Sequence, residues 1–264
     1  MKAFSTPRAL TALILAAGIS GCATLSTLSD SGQPSYASDA ETNVARGNEA
    51  FESRNYLEAE KYFQYVRAKY PFLDAAREAE LRLADTHFAR EQYIEARDAY
   101  QTFVKLHPTW PKIDYAAFQA ALTHYKEIPS DFIMLPSSAE KDQTEVKAAL
   151  RAMTDFLRTY PKSELAPKAQ ELVNDTRRRI AAHEMYVADF YATRERWKAV
   201  VARLETVVTQ YAGLGYDEQA WFGLHDAWLR LNEPEKAKKT LEDIVSKLPG
   251  TPAAERAKRL LGGK

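Results

Sequence analysis

The side chains in this sequence that could do chemistry are few and scattered. Cys22 is the single cysteine, so no intrachain disulfide can form and the thiol is available only for modification. His87, His107, His124, His183 and His225 lie far apart, and none pairs at metal-ligand spacing with another histidine or with the cysteine. His183-Glu184 begins like the helix of a zinc protease, yet residue 187 is valine where the second histidine would stand. Gly213-Leu214-Gly215 follows no strand and lacks a third glycine, so it reads as a turn and not as a phosphate cradle. Arg177-Arg178-Arg179 falls in a helical stretch and reads as a solvated face, with an acidic partner as the alternative. No nucleophile elbow or triad arrangement is visible. The expectation is a protein without catalysis, metal or cofactor.

Cys22 gains meaning from what precedes it. Lys2 and Arg8 give residues 1–8 a positive charge, and an apolar stretch follows from Ala9 to Ile19. This is the pattern of a secretory signal; the apolar run falls short of the ~20 residues a transmembrane helix needs. Ile19-Ser20-Gly21-Cys22 resembles the bacterial lipobox. That resemblance implies cleavage after Gly21, a diacylglyceryl group on the Cys22 sulfur and an acyl group on the new amine. Each buried methylene is worth about 0.8 kcal/mol, so three chains hold where one would be marginal. Alanine at position 23, in place of aspartate, implies sorting to the outer membrane. Residues 22–40 are expected to be a lipidated flexible tether, rich in serine and threonine and spanning roughly 25 Å on average.

Lysine plus arginine equal aspartate plus glutamate at 36 each, a balance without the basic excess that nucleic-acid phosphates demand. Loss of residues 1–21 would leave 34 basic against 36 acidic side chains. Proline and glycine are sparse, and strong helix formers dominate. The chain is expected to be all-α.

An internal repeat organises the rest. Tyr56, Ala59, Phe63, Val66 and Pro71 recur as Tyr93, Ala96, Tyr100, Phe103 and Pro108. The frame returns at Val146, Ala149, Met153, Phe156 and Pro161, at Trp197, Val200, Leu204, Val207 and Ala212, and at Pro234, Ala237, Leu241, Ile244 and Pro249. It resembles the second helix of a tetratricopeptide repeat, with a small residue where two helices touch and bulky residues one and two turns on. First helices fit before it: Trp221, Leu224 and Trp228 in the last copy, Val187, Ala188 and Tyr191 in the fourth, and Leu83 and Ala84 in the second. Phe118, Ala121, Leu122 and Tyr125 fit more loosely in the third, and Gly47 takes the small position of the first. Asn43 and His225 depart from the pattern, at a bulky and a small position.

Spacings of 37, 53, 51 and 37 residues locate two insertions. The first coincides with residues 127–138, whose Pro129 and Pro136 cannot continue a helix; a longer loop in repeat 3 is expected. The second lies in residues 163–194, where Pro167 near the start is compatible with one long first helix in repeat 4. A hairpin of this kind cannot bury its apolar surface alone, so residues 41–261 are expected to stack as a solenoid of five tetratricopeptide-like hairpins. Aromatic residues at repeat positions belong to its core.

Signal, lipobox, tether and five repeats with these insertions resemble the BamD (ComL) family of outer-membrane assembly lipoproteins. The strings Lys69-Tyr70-Pro71-Phe72, His107-Pro108-Thr109-Trp110-Pro111 and Trp197-Lys198-Ala199-Val200-Val201 carry the likeness. The resemblance implies a non-enzymatic scaffold on the periplasmic face of the outer membrane. It would join the β-barrel assembly machine, dock through its C-terminal repeats onto the POTRA domains of BamA, and meet unfolded barrel proteins and accessory lipoproteins through its N-terminal repeats. It also implies that Arg194 and Arg203 face BamA, a role suited to the bidentate fork of arginine. The chain departs from the family at Ala212-Gly213, where proline after tyrosine is usual. The competing expectation is a periplasmic repeat adaptor of another envelope complex, which would carry coiled-coil heptads ahead of the repeats; residues 23–40 show none.

Overall fold

A computed structural model describes residues 34–129 and 139–262, so the signal, the lipobox with Cys22 and residues 130–138 lie outside it. The described residues form eleven helices and no strand. These are α1 (Ala40–Glu52), α2 (Tyr56–Lys69), α3 (Asp74–Ala89), α4 (Tyr93–Leu106), α5 (Ile113–Glu127), α6 (Thr144–Thr159), α7 (Ala166–Ala192), α8 (Trp197–Gln210), α9 (Asp217–Arg230), α10 (Pro234–Lys247) and α11 (Pro252–Leu261). Each packs on the helix before and the helix after it, and α1 also reaches α3. Contact restricted to near neighbours is the mark of a solenoid. Ten of the helices make the five expected hairpins.

The repeat frame is buried throughout. Ala59, Ala96, Ala149 and Ala237 are inaccessible at the helix crossings, with Val200 at the same place in the fourth hairpin. Phe63, Tyr100, Met153, Leu204 and Leu241 fill the turn beyond, and Val66, Phe103, Phe156, Val207 and Ile244 the next. Opposite Phe63, Gly47 lets α1 come close: a Cβ there would stand 2.6 Å from the ring.

Four of the hairpin turns share one solution that the sequence reading did not contain. Arg54, Glu91, Glu195 and Asn232 all sit in the left-handed region, with φ between 55° and 60°. The following amide donates to a carbonyl five residues back, Asn55 to Ala50, Gln92 to His87, Arg196 to Tyr191 and Glu233 to Trp228. This pairing satisfies helix-end carbonyls that would otherwise be orphaned. Glycine or asparagine is the usual occupant of that position, and only the last copy supplies one.

The second insertion lies where the spacing placed it: α7 runs 27 residues with its proline in the first turn. Most of the loop expected in repeat 3 falls on residues 130–138, outside the described residues; α5 ends at Glu127 and the described residues 139–143 before α6 are not helical. After α8, where proline is missing, Gly213 and Gly215 adopt φ of +79° and +93°, and the Asp217 carboxylate accepts from the Gly213 amide at 3.0 Å.

Two boundaries differ from expectation. Although the tether is expected to run to residue 40, residues 36–39 already pack on the first hairpin, because Asn43 binds the incoming backbone. Its side chain donates to the carbonyls of Ala37 (3.0 Å) and Asp39 and accepts from the Ala37 amide at 2.9 Å. The polar residue at a bulky position is thus a buried latch. Asp39 then caps α1 by accepting from Thr42 N–H at 2.7 Å. At the other end, α11 is an eleventh helix beyond the five hairpins; it buries Ala253, Ala254 and Ala257 and shows Glu255, Lys258 and Arg259 to water. A polar outer face of this kind closes a solenoid. Among the described residues no helix is long and apolar enough to cross a membrane.

Candidate functional site

A recess of about 890 Å³ lies in the N-terminal repeats, where α3 and α5 face the turns that follow α4 and α6. Its walls are apolar at Leu81, Trp110 and Leu165 and charged at Glu78, Arg82, Lys112, Asp114, Lys162 and Glu164. The buried carboxylate of Asp85 organises its floor. Tyr100 on α4 and Tyr115 on α5 donate to Asp85 Oδ1 at 2.6 and 2.8 Å, and Arg82 donates to Oδ2 at 2.9 Å. Arg82 also donates to Asn48 on α1 at 2.7 Å and lies 4.2 Å over the Phe51 ring. One acid therefore ties α1, α3, α4 and α5 together. Burial, reinforced by the Asp85 charge, pushes the Tyr100 hydroxyl far above its ordinary range and that of Tyr115 up to about 12. Both oxygens of Asp85 are engaged, so the group acts as an acceptor that rigidifies the groove.

The fourth hairpin carries the two arginines singled out by sequence, and they do different things. Arg194, at the end of α7, is exposed; its guanidinium lies 3.6 Å from the Phe190 ring centroid and donates to the Phe190 carbonyl at 2.9 Å. Tyr186, Phe190 and Arg194 form a single exposed stripe at four-residue intervals. Sequence reasoning passed over Tyr186 and Phe190; the signal available was their phase, one step off the core positions Val187, Ala188 and Tyr191. Arg203 on α8 turns inward and donates to Glu184 Oε2 at 3.0 Å, though 41% of its side chain stays exposed. Cys22 lies outside the described residues.

Other sequence candidates have structural work. His183 bonds the Ala139 carbonyl at 2.7 Å, holding the chain that returns from the repeat-3 loop, and Glu184 is the partner of Arg203. The arginine triplet is less free than a solvated face. Arg177 donates to the Gln210 carbonyl at the end of α8, and Arg179 donates to Asp175, which also accepts from Tyr125 on α5. Burial pushes the Asp175 carboxyl up, but the hydrogen bonds from Arg179 and Tyr125 and the Arg179 charge outweigh it and hold the group below its usual range. His225, at a small position, bonds the Ala237 carbonyl of α10 at 3.0 Å. His124, Glu127 and Glu145 approach one another closely enough to share a cation. Arg97, however, donates to Glu127 at 2.6 Å and stands 3.2 Å from His124 Nδ1, so a guanidinium already supplies the positive charge.

Residues 37–257 match the family described as YfiO, outer membrane lipoprotein. The chain belongs to that family. Among its relatives, the outer membrane protein assembly factor BamD of Caulobacter vibrioides is 26% identical over 91% of this chain and 76% of its own. BamD of Neisseria meningitidis serogroup A is 25% identical over 90% of each. A solved tetratricopeptide structure, the TPR2AB domain of yeast Sti1 in its pHSP90 complex, is similar at a TM-score of 0.44 and 13% identity, over 84% of this chain and 82% of that one. The family match spans all the hairpins, so it takes in both the N-terminal groove and the arginine-bearing α7–α8 turn.

Proposed function

We propose that the chain is a lipid-anchored, non-enzymatic scaffold of the machine that assembles β-barrel proteins in the outer membrane. Cys22 carries S-diacylglycerol and an N-acyl chain, which hold the solenoid on the periplasmic face. The C-terminal hairpins dock on BamA POTRA domains, with Arg194 and the Tyr186–Phe190 stripe at the contact and Arg203 bridging from the neighbouring helix. The N-terminal groove receives unfolded barrel segments, and accessory lipoproteins share the remaining surface.

The family match over residues 37–257 carries this reading. The geometry is in keeping with it: Asp85 is saturated, Arg97 fills the His124 cluster, and the exposed features of the described residues include a groove and an aromatic-arginine stripe. Aromatic residues and arginine are the types enriched where protein surfaces meet. Co-purification of the mature chain with the BamA periplasmic region tests the docking. Arg194→Ala should weaken capture without lowering thermal stability; unchanged capture by Arg194→Ala and by Phe190→Ala together would remove this face from the interface.

A further inference from the structure

We propose that the turn joining α2 to α3 is a second membrane contact, where Phe72 and Leu73 enter the headgroup layer of the bilayer that holds the Cys22 lipid. The inference rests on the lipid anchor proposed above. Phe72 is 90% exposed, more than any other large hydrophobic side chain among the described residues, and Leu73 beside it is 46% exposed. Solvating a phenylalanine forfeits the transfer free energy that burial would recover.

Position decides what covers this turn. Tyr36, shortly before α1, stacks on Tyr65 at 3.9 Å and meets Tyr62 edge-on at 5.6 Å. Tyr70, two residues before Phe72, donates its hydroxyl to the Ser38 carbonyl at 2.7 Å. The chain from the lipid is thereby clamped onto the same end of α2 that presents Phe72. Thirteen residues separate Cys22 from Tyr36, which limits the span to about 50 Å at most. Such a short leash holds the turn at high effective concentration near the bilayer. The exposed aromatic pair on α7, Tyr186 and Phe190, sits three hairpins away with no such leash.

The chemistry also fits an interface. Lys69 donates to the Tyr65 hydroxyl at 2.6 Å and lies 5.0 and 5.5 Å from the Tyr65 and Tyr70 rings, and Arg67 shares the last turn of α2. Tyrosines and basic side chains around an apolar tip are what the boundary between headgroups and hydrocarbon selects. Anionic headgroups favour the two cations.

The test places an environment-sensitive fluorophore, NBD, at Leu73→Cys in the lipidated chain, whose Cys22 sulfur is blocked, on vesicles of phosphatidylethanolamine and phosphatidylglycerol. Emission should rise and shift to the blue, and nitroxide lipids should quench it; the same label at Leu260→Cys on α11 should stay aqueous. Phe72→Ser should reverse the shift, and in the tetherless Cys22→Ser chain it should lower vesicle partition about tenfold. Intact mass and vesicle flotation read the lipid separately. If Cys22 carries no acyl chain, an N-terminal hexahistidine segment on nickel-chelating lipid supplies the leash in the Cys22→Ser background, and position 73 is read again. A label that stays aqueous on vesicles that do float overturns the proposal and leaves the anchor standing. A label answering an apolar peptide in solution but not vesicles assigns the turn to a protein partner and also overturns it.

Discussion

Glu184 on α7 accepts from Arg203 on α8 at 3.0 Å, so a guanidinium expected to face a partner is committed first to its own hairpin. The acid is nearly buried and the arginine half-exposed. Removing one side of a buried pair strands the other, while deleting both can be close to neutral. Because Arg203 keeps water access, the cost falls below that of a fully buried pair. Arg203→Ala should destabilise by about 1–3 kcal/mol in urea unfolding, and Glu184→Gln in the same chain should recover most of it. If the recovered double variant still fails to capture the BamA periplasmic region, Arg203 docks as well as braces; normal capture would assign it to bracing alone.

Gly47 sets two effects against each other. Helix propensity favours alanine over glycine by about 1 kcal/mol. Against that, the new Cβ would lie 2.6 Å from the Phe63 ring, which is fully buried and has nowhere to go. Overpacking should win, with Gly47→Ala destabilising by about 1–3 kcal/mol and Phe63→Leu in that background recovering part of the loss. Thermal unfolding of the two singles and the double measures it.

The left-handed turn residues invite the opposite sign. Arg54, Glu91 and Glu195 hold a conformation that disfavours side chains with a Cβ. Each change to glycine should stabilise by about 0.5–1 kcal/mol, the strain relieved exceeding glycine's greater entropy in the unfolded chain. Asn232→Ala at the matching position should destabilise. Chemical unfolding midpoints that fall for all three glycine variants would contradict the strain.

The Asp85 network should make itself felt at high pH. Tyr115 ionises at 10.0 in the open chain and about 12 in the fold. Above pH 10 the unfolded state therefore releases its proton while the native state keeps it, so stability that is intact below pH 10 falls as pH rises towards 12. Tyr115→Phe should lessen that fall, leaving the share owed to Tyr100, and cost about 1 kcal/mol at neutral pH through its lost hydrogen bond. Equilibrium unfolding between pH 8 and 12 reads both.

Much of the fold was legible because a tetratricopeptide-like hairpin writes its packing at fixed local spacing. The alanines at 59, 96, 149 and 237, the proline stops and the two excess spacings marked out ten helices, the interrupted third repeat and the long α7. What was hidden depends on how helices turn against one another. Tyr100 and Tyr115 reach Asp85 across 15 and 30 residues, and no periodicity announces such a meeting. Asn43 looked like a flaw in the frame because its partners, Ala37 and Asp39, belong to a segment with no repeat to compare. For α11 the missing mate was the obstacle, since a closing helix follows no frame but its own amphipathy. Arg194 and Arg203 came from family likeness, and only coordinates separate the outward one from the inward one.

Depletion of the protein from its native cell, followed by quantification of folded barrel proteins in the outer membrane, tests the proposed role most directly. Folded barrels should fall while their unfolded precursors accumulate in the periplasm, and the lipidated chain should restore them. Barrel levels that stay normal when the protein is gone would contradict an assembly function.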